Sequence, residues 1–219
     1  MELSDYLPFW SQLTAGERET LKGAAVRRTL KRGTVLHYGK EDCVGLFIVR
    51  SGQLRAFILS EEGREITLYR LFEQEICLFS ASCMLPDIHF EITIEAEQDT
   101  NLWVIPTEAY RRVMEESAAV ANYTNQLMAT RFSEVMWLVD QILFKSVDTR
   151  LAALLLEERS IQGGDALVLT HEKIARHLGT AREVVSRMLK YFQTEGLVVL
   201  SRGEIRIQDA EHLRKRAEQ

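Results

Sequence analysis

The chain has few prolines and cysteines and lacks any long apolar run. Its 219 residues include three prolines and three cysteines. No apolar stretch approaches the ~20 residues that a membrane-crossing helix requires, so we expect no membrane partner. An odd number of cysteines without the spacing of a disulfide framework favours a reducing compartment. Residues 1–10 lack the basic start and apolar core of a signal peptide, and we therefore expect a cytoplasmic protein.

The sequence also lacks the short motifs of common catalytic sites. It contains no G-x-S-x-G nucleophile turn, no phosphate-binding P-loop and no H-E-x-x-H zinc pair. The five histidines and three cysteines do not cluster at helical spacing. We therefore expect a protein that is not an enzyme.

The chain carries only a small excess of charge, and that excess is acidic. The net charge of −5 at first argues against a nucleic-acid partner. However, residues 146–219 hold 12 basic and 11 acidic side chains, whereas residues 1–145 hold 15 and 21. A near-neutral C-terminal part can still present one basic face, on which contacts to bases matter more than bulk charge.

Residues 169–192, which read LTHEKIARHLGTAREVVSRMLKYF, predict two short helices joined by a tight turn. Thr170 is a suitable N-cap, because its hydroxyl can accept from an N–H of the first turn. Gly179 ends the first helix, since glycine takes the left-handed conformation without strain. Thr180 is the expected cap of the second helix. Two short helices about a glycine turn are the pattern of a helix-turn-helix, which binds DNA.

The second of these helices has one apolar and one polar face. The apolar side chains are Val184, Val185, Met188 and Leu189. The polar side chains are Arg182, Glu183, Ser186, Arg187 and Lys190. Arginine can bond guanine through two N–H groups, glutamate can accept from the cytosine amine, and serine can serve a base or a phosphate. The same pattern fits a solvated surface helix, but we favour the DNA-reading interpretation.

The run from Gly179 to Arg187 resembles the recognition helix of the Crp/Fnr family of bacterial transcription regulators. Glu183 and Arg187 match the pair that reads a G·C base pair in that family, which implies a TGA-like half-site. Val184 stands where the family usually has threonine, so one phosphate contact of the family is not expected. The residues that we expect at the DNA interface are Thr170, His171, Arg182, Glu183, Ser186, Arg187, Lys190 and Arg202.

From Arg27 onward the apolar period changes to two, and glycines separate short apolar runs. Strands at this spacing predict a β-sandwich or barrel. Residues 31–36 and 46–54 resemble the cyclic-nucleotide-binding jelly roll, which is the sensor of the Crp/Fnr family. The expected fold is α+β, with a β-roll sensor domain over residues 1–117, a dimerisation helix over 118–145 and a winged helix-turn-helix domain over 146–219.

One segment of the sensor part departs from the nucleotide-binding pattern. Relatives carry Gly-Glu for the ribose and Arg-Ser for the cyclic phosphate, because a buried phosphate needs a cation and a buried hydroxyl needs an acceptor. Here Leu78 and Phe79 replace Gly-Glu, and Glu91 lies near the place of the Arg-Ser pair. Residues 71–110 contain no arginine at all. Cyclic AMP is therefore not the expected ligand.

The pocket that remains has a more apolar character. The residues that we expect to line it are Phe79, Ser80, Ser82, Cys83, Met84, His89, Val135 and Met136. Cys77, Cys83 and His89 lie six residues apart, which leaves open a metal or haem site or a thiol sensor. The alternative is that all three only line the core or the pocket. We expect no metal or haem cofactor, and an apolar or aromatic small molecule is the favoured effector.

A single long helix is predicted between residues 118 and 144, where glycine and proline are both absent. Apolar side chains recur along it at alternating spacings of four and three, which is the pattern of a two-stranded coiled coil. The residues of this seam, with one polar position, are Ala121, Asn125, Met128, Phe132, Val135, Val139 and Ile142. The alternative is a single helix laid on the β-roll. The family resemblance favours a homodimer.

The end of the chain completes a winged domain. Residues 146–149 are the expected hinge, and Asp148 or Thr149 is the expected cap of a helix that runs through Glu158. Residues 196–207 predict a β-hairpin, the wing, and residues 209–219 predict a weakly amphipathic or frayed helix. The whole pattern predicts a homodimeric transcription factor that binds two-fold symmetric duplex DNA under control of a small-molecule or redox signal. RNA polymerase is a further candidate partner. The competing class is a sensor that acts through a protein partner.

Overall fold

The computed structural model describes residues 2–38, 45–78 and 91–218. The chain divides into two compact units. The first comprises residues 1–58 and 68–135, and the second comprises residues 59–67 and 136–219. The α+β class expected from the sequence is confirmed, because strands dominate the start of the chain and helices dominate its second half.

A two-sheet β-sandwich forms most of the first unit. Its strands are β1 (Val26–Leu30), β2 (Val35–Tyr38), β3 (Leu46–Ser51), β4 (Leu54–Leu59), β5 (Glu65–Leu71), β6 (Ile76–Cys77), β7 (Thr93–Ala96) and β8 (Thr100–Ile105). Within the described ranges, one sheet has the order β1-β8-β3-β6 and the other has the order β2-β7-β4-β5. The glycine-punctuated alternation predicted the sandwich, and the crossed strand order is that of a jelly roll, as the family resemblance implied.

Helices cover one side of this sandwich. They are α1 (Ala15–Ala24), α2 (Thr107–Glu116) and α3 (Ala118–Phe144). The Thr14 hydroxyl accepts from the Glu17 N–H at 3.3 Å, and the Glu17 carboxylate accepts from the Thr14 N–H at 2.6 Å. These two reciprocal hydrogen bonds form a capping box. No helix in the described part of the chain is both long enough and apolar enough to cross a bilayer.

Buried charges inside the first unit were not expected from the sequence. Arg70 Nε lies 3.1 Å from Glu97 Oε2, and both side chains are at most 5% exposed. The same carboxylate oxygen accepts from the Gln53 amide at 2.7 Å. Arg55 pairs with Glu95 at 2.9 Å on the neighbouring strand positions. These contacts connect β4, β5 and β7, because each charge would be costly to bury alone.

The second unit is built on α4 (Val147–Gln162), α5 (His171–Leu178), α6 (Arg182–Thr194) and α7 (Ala210–Ala217). Its short sheet has the order β10-β11-β9, from β9 (Ala166–Leu167), β10 (Val198–Ser201) and β11 (Glu204–Ile207). The core of this unit consists mainly of leucine and isoleucine side chains from all four helices and the sheet.

Two expected helix caps were wrong. The cap of α4 is Ser146, whose hydroxyl accepts from the Thr149 N–H, and not Asp148 or Thr149. The helix also continues to Gln162, where Gly163 ends it with a φ of 71°. The cap position of α6 is Ala181, not Thr180, and it provides no side-chain acceptor. In both cases the sequence offers adjacent polar residues, and only the backbone geometry decides between them.

The C-terminal hairpin and tail confirm and extend the expectation. The wing strands pair from Val198 with Ile207 to Ser201 with Glu204. The tail is an ordered helix rather than a frayed one, since Asp209 caps it and Leu213 is fully buried against the core of the second unit. Its contacts with α4 make it part of the domain.

Replacement of Glu97 by alanine should strongly destabilise the first unit. The change removes the carboxylate that lies 3.1 Å from Arg70 and accepts from Gln53, and breaking a buried ion pair from one side costs about 3–5 kcal/mol. Glu116→Ala is the matched control, because its ion pair with Arg112 is exposed on α2 and exposed pairs contribute little. Urea unfolding followed by tryptophan fluorescence measures both variants. Equal midpoints for the two variants would contradict the buried ion pair.

Candidate nucleic-acid interface

Helices α5 and α6 form a helix-turn-helix whose local geometry follows from its caps. The Thr170 hydroxyl accepts from the Lys173 N–H at 3.1 Å and so begins α5. Gly179 follows α5 with a φ of 64°, which is the left-handed conformation that the sequence predicted. Val185 and Leu189 of α6 are fully buried in the core of the second unit. This burial fixes which face of α6 points outward.

The outward face of α6 carries the side chains that the sequence assigned to DNA. Arg182, Glu183, Arg187 and Lys190 are exposed. Among the residues that the structure describes, none of these four has a side-chain hydrogen bond or an ion pair. Charged groups that lack partners in the protein can bind an external ligand without first breaking an internal pair. The arrangement suits contacts with base edges and phosphates.

Ser186 and His171 join the two helices at the edge of this face. The Ser186 hydroxyl lies 2.8 Å from His171 Nδ1. It also donates to the Arg182 carbonyl oxygen at 3.0 Å. Burial lowers the pKa of His171 first, and the positive charge of Arg182 lowers this pKa further. The structure thus brings together three of the residues predicted at the interface.

The wing places one further predicted residue at an exposed tip. Arg202 lies in the turn between β10 and β11 and is exposed, next to Gly203 with a φ of 79°. Arg206 on β11 is exposed too, but it pairs with Glu204 at 3.0 Å. Arg202 is therefore better placed than Arg206 to bind a phosphate.

The tip of the β4–β5 hairpin, residues 59–67, belongs to the second unit and packs on the turn of the helix-turn-helix. A Cβ atom on Gly179 would lie 3.0 Å from the Ile66 side chain. The Thr67 hydroxyl lies 2.8 Å from Nδ1 of the buried His177. Glu65 lies 3.8 Å from Arg176. Sequence reasoning missed this contact, because nothing local links residue 66 to residue 179.

A second missed feature connects α7 to the start of α4 and to α6. Arg216 Nη1 lies 3.3 Å from Asp148 Oδ2, and Arg216 Nη2 lies 3.2 Å from the Tyr191 hydroxyl. The Ser146 hydroxyl hydrogen bond is the first cause that lowers the pKa of Asp148, and Arg216 lowers it further. In the sequence, only the basic residues near the end of the chain pointed to these contacts. They do not show that Arg216 would contact Asp148 and Tyr191.

Most of the expected sensor pocket lies outside the described residues. The residues concerned are Phe79, Ser80, Ser82, Cys83, Met84 and His89. Leu78, the last described residue before this segment, is 1% exposed and belongs to a core with Trp103 and Ile105. Cys77 is buried, with its sulfur 3.9 Å from the Tyr69 hydroxyl. In the described ranges, no three histidine, cysteine or carboxylate side chains are grouped to hold a metal.

The α3 positions expected at the pocket lie beside a buried arginine. Val135 is half-buried, and Met136 is 48% exposed. Arg131, one turn earlier, is buried with its guanidinium 4.6 Å from the centre of the Tyr69 ring. It donates to Glu134 at 2.7 Å. Nothing in the sequence predicted that Arg131, in the middle of the long helix, would be buried against the β-roll.

Helix α3 presents a long apolar face to solvent. Of the predicted seam, Asn125, Phe132, Val139 and Ile142 are exposed, and Ala121 and Val135 are half-buried. Met128 packs instead against both apolar cores of its own unit. Further exposed apolar side chains on α3 are Met136, Trp137, Leu143 and Phe144. Phe132 is 66% exposed, which is unusual for an isolated helix face.

Two family models match most of the chain. A Crp-like helix-turn-helix domain matches residues 149–216, and a cyclic nucleotide-binding domain matches residues 27–117. The first match contains α4 to α7 with the exposed face of α6, and the second contains the strands of the β-sandwich.

Individual relatives give the same assignment. The chain is 29% identical to the cyclic AMP receptor protein of Thermus thermophilus over 184 residues, which cover 84% of each protein. It is 30% identical to the transcriptional activator FnrA of Stutzerimonas stutzeri over 194 residues, which cover 84% of this chain and 77% of FnrA. A crystal structure from Eubacterium rectale, assigned to the crp/fnr family of regulators, is 55% identical with a TM-score of 0.96. That match covers 98% of this chain and 100% of the other.

Replacement of Gly179 by alanine should destabilise the helix-turn-helix. An L-residue in the left-handed conformation costs about 1–2 kcal/mol, and the added methyl group also meets Ile66. Gly164→Ala is the matched control, because no atom lies within 4 Å of its Cβ and its φ is not positive. Thermal unfolding followed by circular dichroism should show a lower midpoint for Gly179→Ala alone. Equal midpoints would contradict the strained turn.

Proposed function

The chain belongs to the Crp/Fnr family of transcriptional regulators and carries its helix-turn-helix DNA-binding domain, and we propose that it works as a homodimer on two-fold symmetric DNA. The observation that carries the proposal is the exposed face of α6, with four charged side chains that have no partner within the described residues. The relatives are regulators of transcription, so we propose a role without catalysis, in the cytoplasm where the chromosome lies.

Each residue of this face has a distinct role in the proposal. Glu183 and Arg187, on neighbouring turns of α6, read a G·C pair in each half-site. Arg187 donates to guanine and Glu183 accepts from cytosine. Lys190 and Arg202 bind phosphates, which position the domain without reading sequence. Thr170, His171, Arg182 and Ser186 surround the base-reading pair.

The homodimer is supported by the apolar face of α3. Phe132, Val139 and Ile142 are exposed at coiled-coil spacing on a helix of 27 residues. A second copy of the same helix would cover these side chains. Two-fold symmetric DNA requires two recognition helices ~34 Å apart, the distance between successive major grooves on one face, and this requires two copies of α6. RNA polymerase is the further partner that we propose for a regulator of this kind.

A signal other than cyclic AMP is supported by the sensor residues. Leu78 fills core space at the position where the nucleotide-binding pattern has the glycine of Gly-Glu. The absence of arginine from residues 71–110 removes the usual cation for a cyclic phosphate. Cys77 is fully buried, which favours a small molecule over oxidation of this thiol. An apolar or aromatic effector fits these side chains best.

Replacement of Arg187 by alanine should weaken DNA binding at one base pair. Loss of a two-point contact to guanine costs about 1–3 kcal/mol at that pair and leaves binding to other sequences nearly unchanged. Lys190→Ala is the control, because loss of a phosphate contact lowers affinity on all sequences alike. Titration of both variants against duplexes that differ only at this pair separates the two effects. An equal loss on every duplex would make Arg187 a phosphate contact.

Replacement of Val139 by glutamate should convert the protein to a monomer. In a dimer, the new glutamate of each copy would be buried in the apolar seam close to the same glutamate of the other copy. Burying these charges has a high desolvation cost. Thr130→Glu is the matched control, since Thr130 is exposed on the opposite side of α3. Sedimentation equilibrium of the full chain measures the mass. A wild-type monomer, or a Val139→Glu dimer, would contradict the proposed interface.

A further inference from the structure

His171 begins α5, and its ring reaches the edge of the base-reading helix. Its Nδ1 atom lies 2.8 Å from the hydroxyl of Ser186, one turn after Arg182 and next to Arg187. Both His171 and Ser186 are half-buried. The imidazole therefore stands at the border between the start of one helix and the exposed face of the next.

The hydrogen bonds of Ser186 decide where His171 carries its hydrogen. The Ser186 hydroxyl donates its single hydrogen to the Arg182 carbonyl oxygen, at 3.0 Å. We therefore assign the hydroxyl oxygen as the acceptor from His171, and this assignment places a hydrogen on Nδ1. In a neutral imidazole the other nitrogen, Nε2, then bears a lone pair and cannot donate.

The start of α5 is a place where a phosphate is expected. Backbone N–H groups of a first helical turn and the positive end of the helix dipole attract anions. The first helix of a helix-turn-helix crosses the DNA backbone. Phosphate oxygens at physiological pH are acceptors only, so the lone pair of a neutral Nε2 would repel them. A contact requires a second hydrogen on the ring.

Burial and, after it, the charge of Arg182 favour the neutral ring of His171 in the free protein. Burial lowers the pKa of His171, and Arg182 on the packed helix α6 lowers it further. On its own helix, the neighbouring Glu172 lies 3.9 Å from Arg176 and is partly compensated by it. Within the described residues, Arg182 is the charged side chain that acts on this pKa. A bound phosphate acts in the opposite direction and raises it.

We propose that His171 contacts a DNA phosphate as an imidazolium ion, so that DNA binding takes up one proton per subunit. This inference rests on the DNA-binding function proposed above. Because the charged form is favoured in the complex, affinity rises as pH falls. The effect operates between the pKa of His171 in the complex and its lower pKa in the free protein. Its limit is about a tenfold change in affinity per pH unit for each subunit.

The test is the pH dependence of DNA affinity for the full-length protein, at fixed salt, on a duplex with two TGA-like arms. Wild type should bind more tightly as pH falls through the titration range of histidine. His171→Gln should remove this dependence, and His171→Arg should bind tightly at every pH because its charge is permanent. His212→Gln is the matched control, because His212 pairs with Asp209 on α7 and should leave the wild-type slope intact.

A variant of the serine tests the tautomer argument separately. Ser186→Ala removes the acceptor that holds the hydrogen on Nδ1, so a neutral His171 can place it on Nε2 and donate to phosphate. The pH slope should then fall even though histidine is still present. A purely structural role for Ser186 would change affinity at all pH values and would not change the slope.

The outcomes separate this inference from the proposed function. Wild type and His171→Gln with the same pH slope would overturn it. The histidine proton resonances supply a second measurement, because added duplex should raise the pKa of His171 in the wild-type protein. If this pKa does not move on a duplex that is bound, the inference is wrong. If no duplex is bound even at low salt, the proposed function itself is wrong.

Discussion

Burial of one face of α6 is the constraint from which the proposed mode of DNA reading follows. Val185, Leu189 and Phe192 are fully buried among α4, α5 and the wing strands, which fixes the rotation of α6 about its axis. Residues three and four apart along this helix then lie together on the opposite side. Arg182, Glu183 and Arg187 are exposed because the apolar face of α6 is buried in the core. No other contact is needed to turn these side chains outward.

Neighbouring contacts set the position of this helix as well as its rotation. Ile66, at the tip of the β4–β5 hairpin, packs on Gly179 at the turn. His171 is hydrogen-bonded to Ser186 at the edge of the exposed face. Arg216 holds the far end through Tyr191 and also contacts Asp148 beside the expected hinge. A change at residue 148 therefore has a direct physical connection to α6. Such a connection is what a shift between two arrangements of the domain would need.

The sequence predicted the elements whose signals are local. The left-handed Gly179, the long α3 and the wing hairpin all follow from residue types at fixed spacing, and all were confirmed. The caps of α4 and α6 were missed because several adjacent polar residues could have served. The buried Arg131 and the Ile66 contact could not be predicted, since they join residues far apart in the chain. The pocket residues 79–90 and the dimer seam remain predictions.

Selection of bound sequences from random duplexes, with and without reductant, is the experiment we would do first. The proposed function predicts enrichment of a two-fold symmetric site with TGA-like arms, because two copies of Glu183 and Arg187 would each read one arm. Enrichment in only one redox condition would indicate that Cys77 or Cys83 acts as a thiol redox sensor. Binding without enrichment of any sequence would contradict the claim that the exposed face of α6 reads bases.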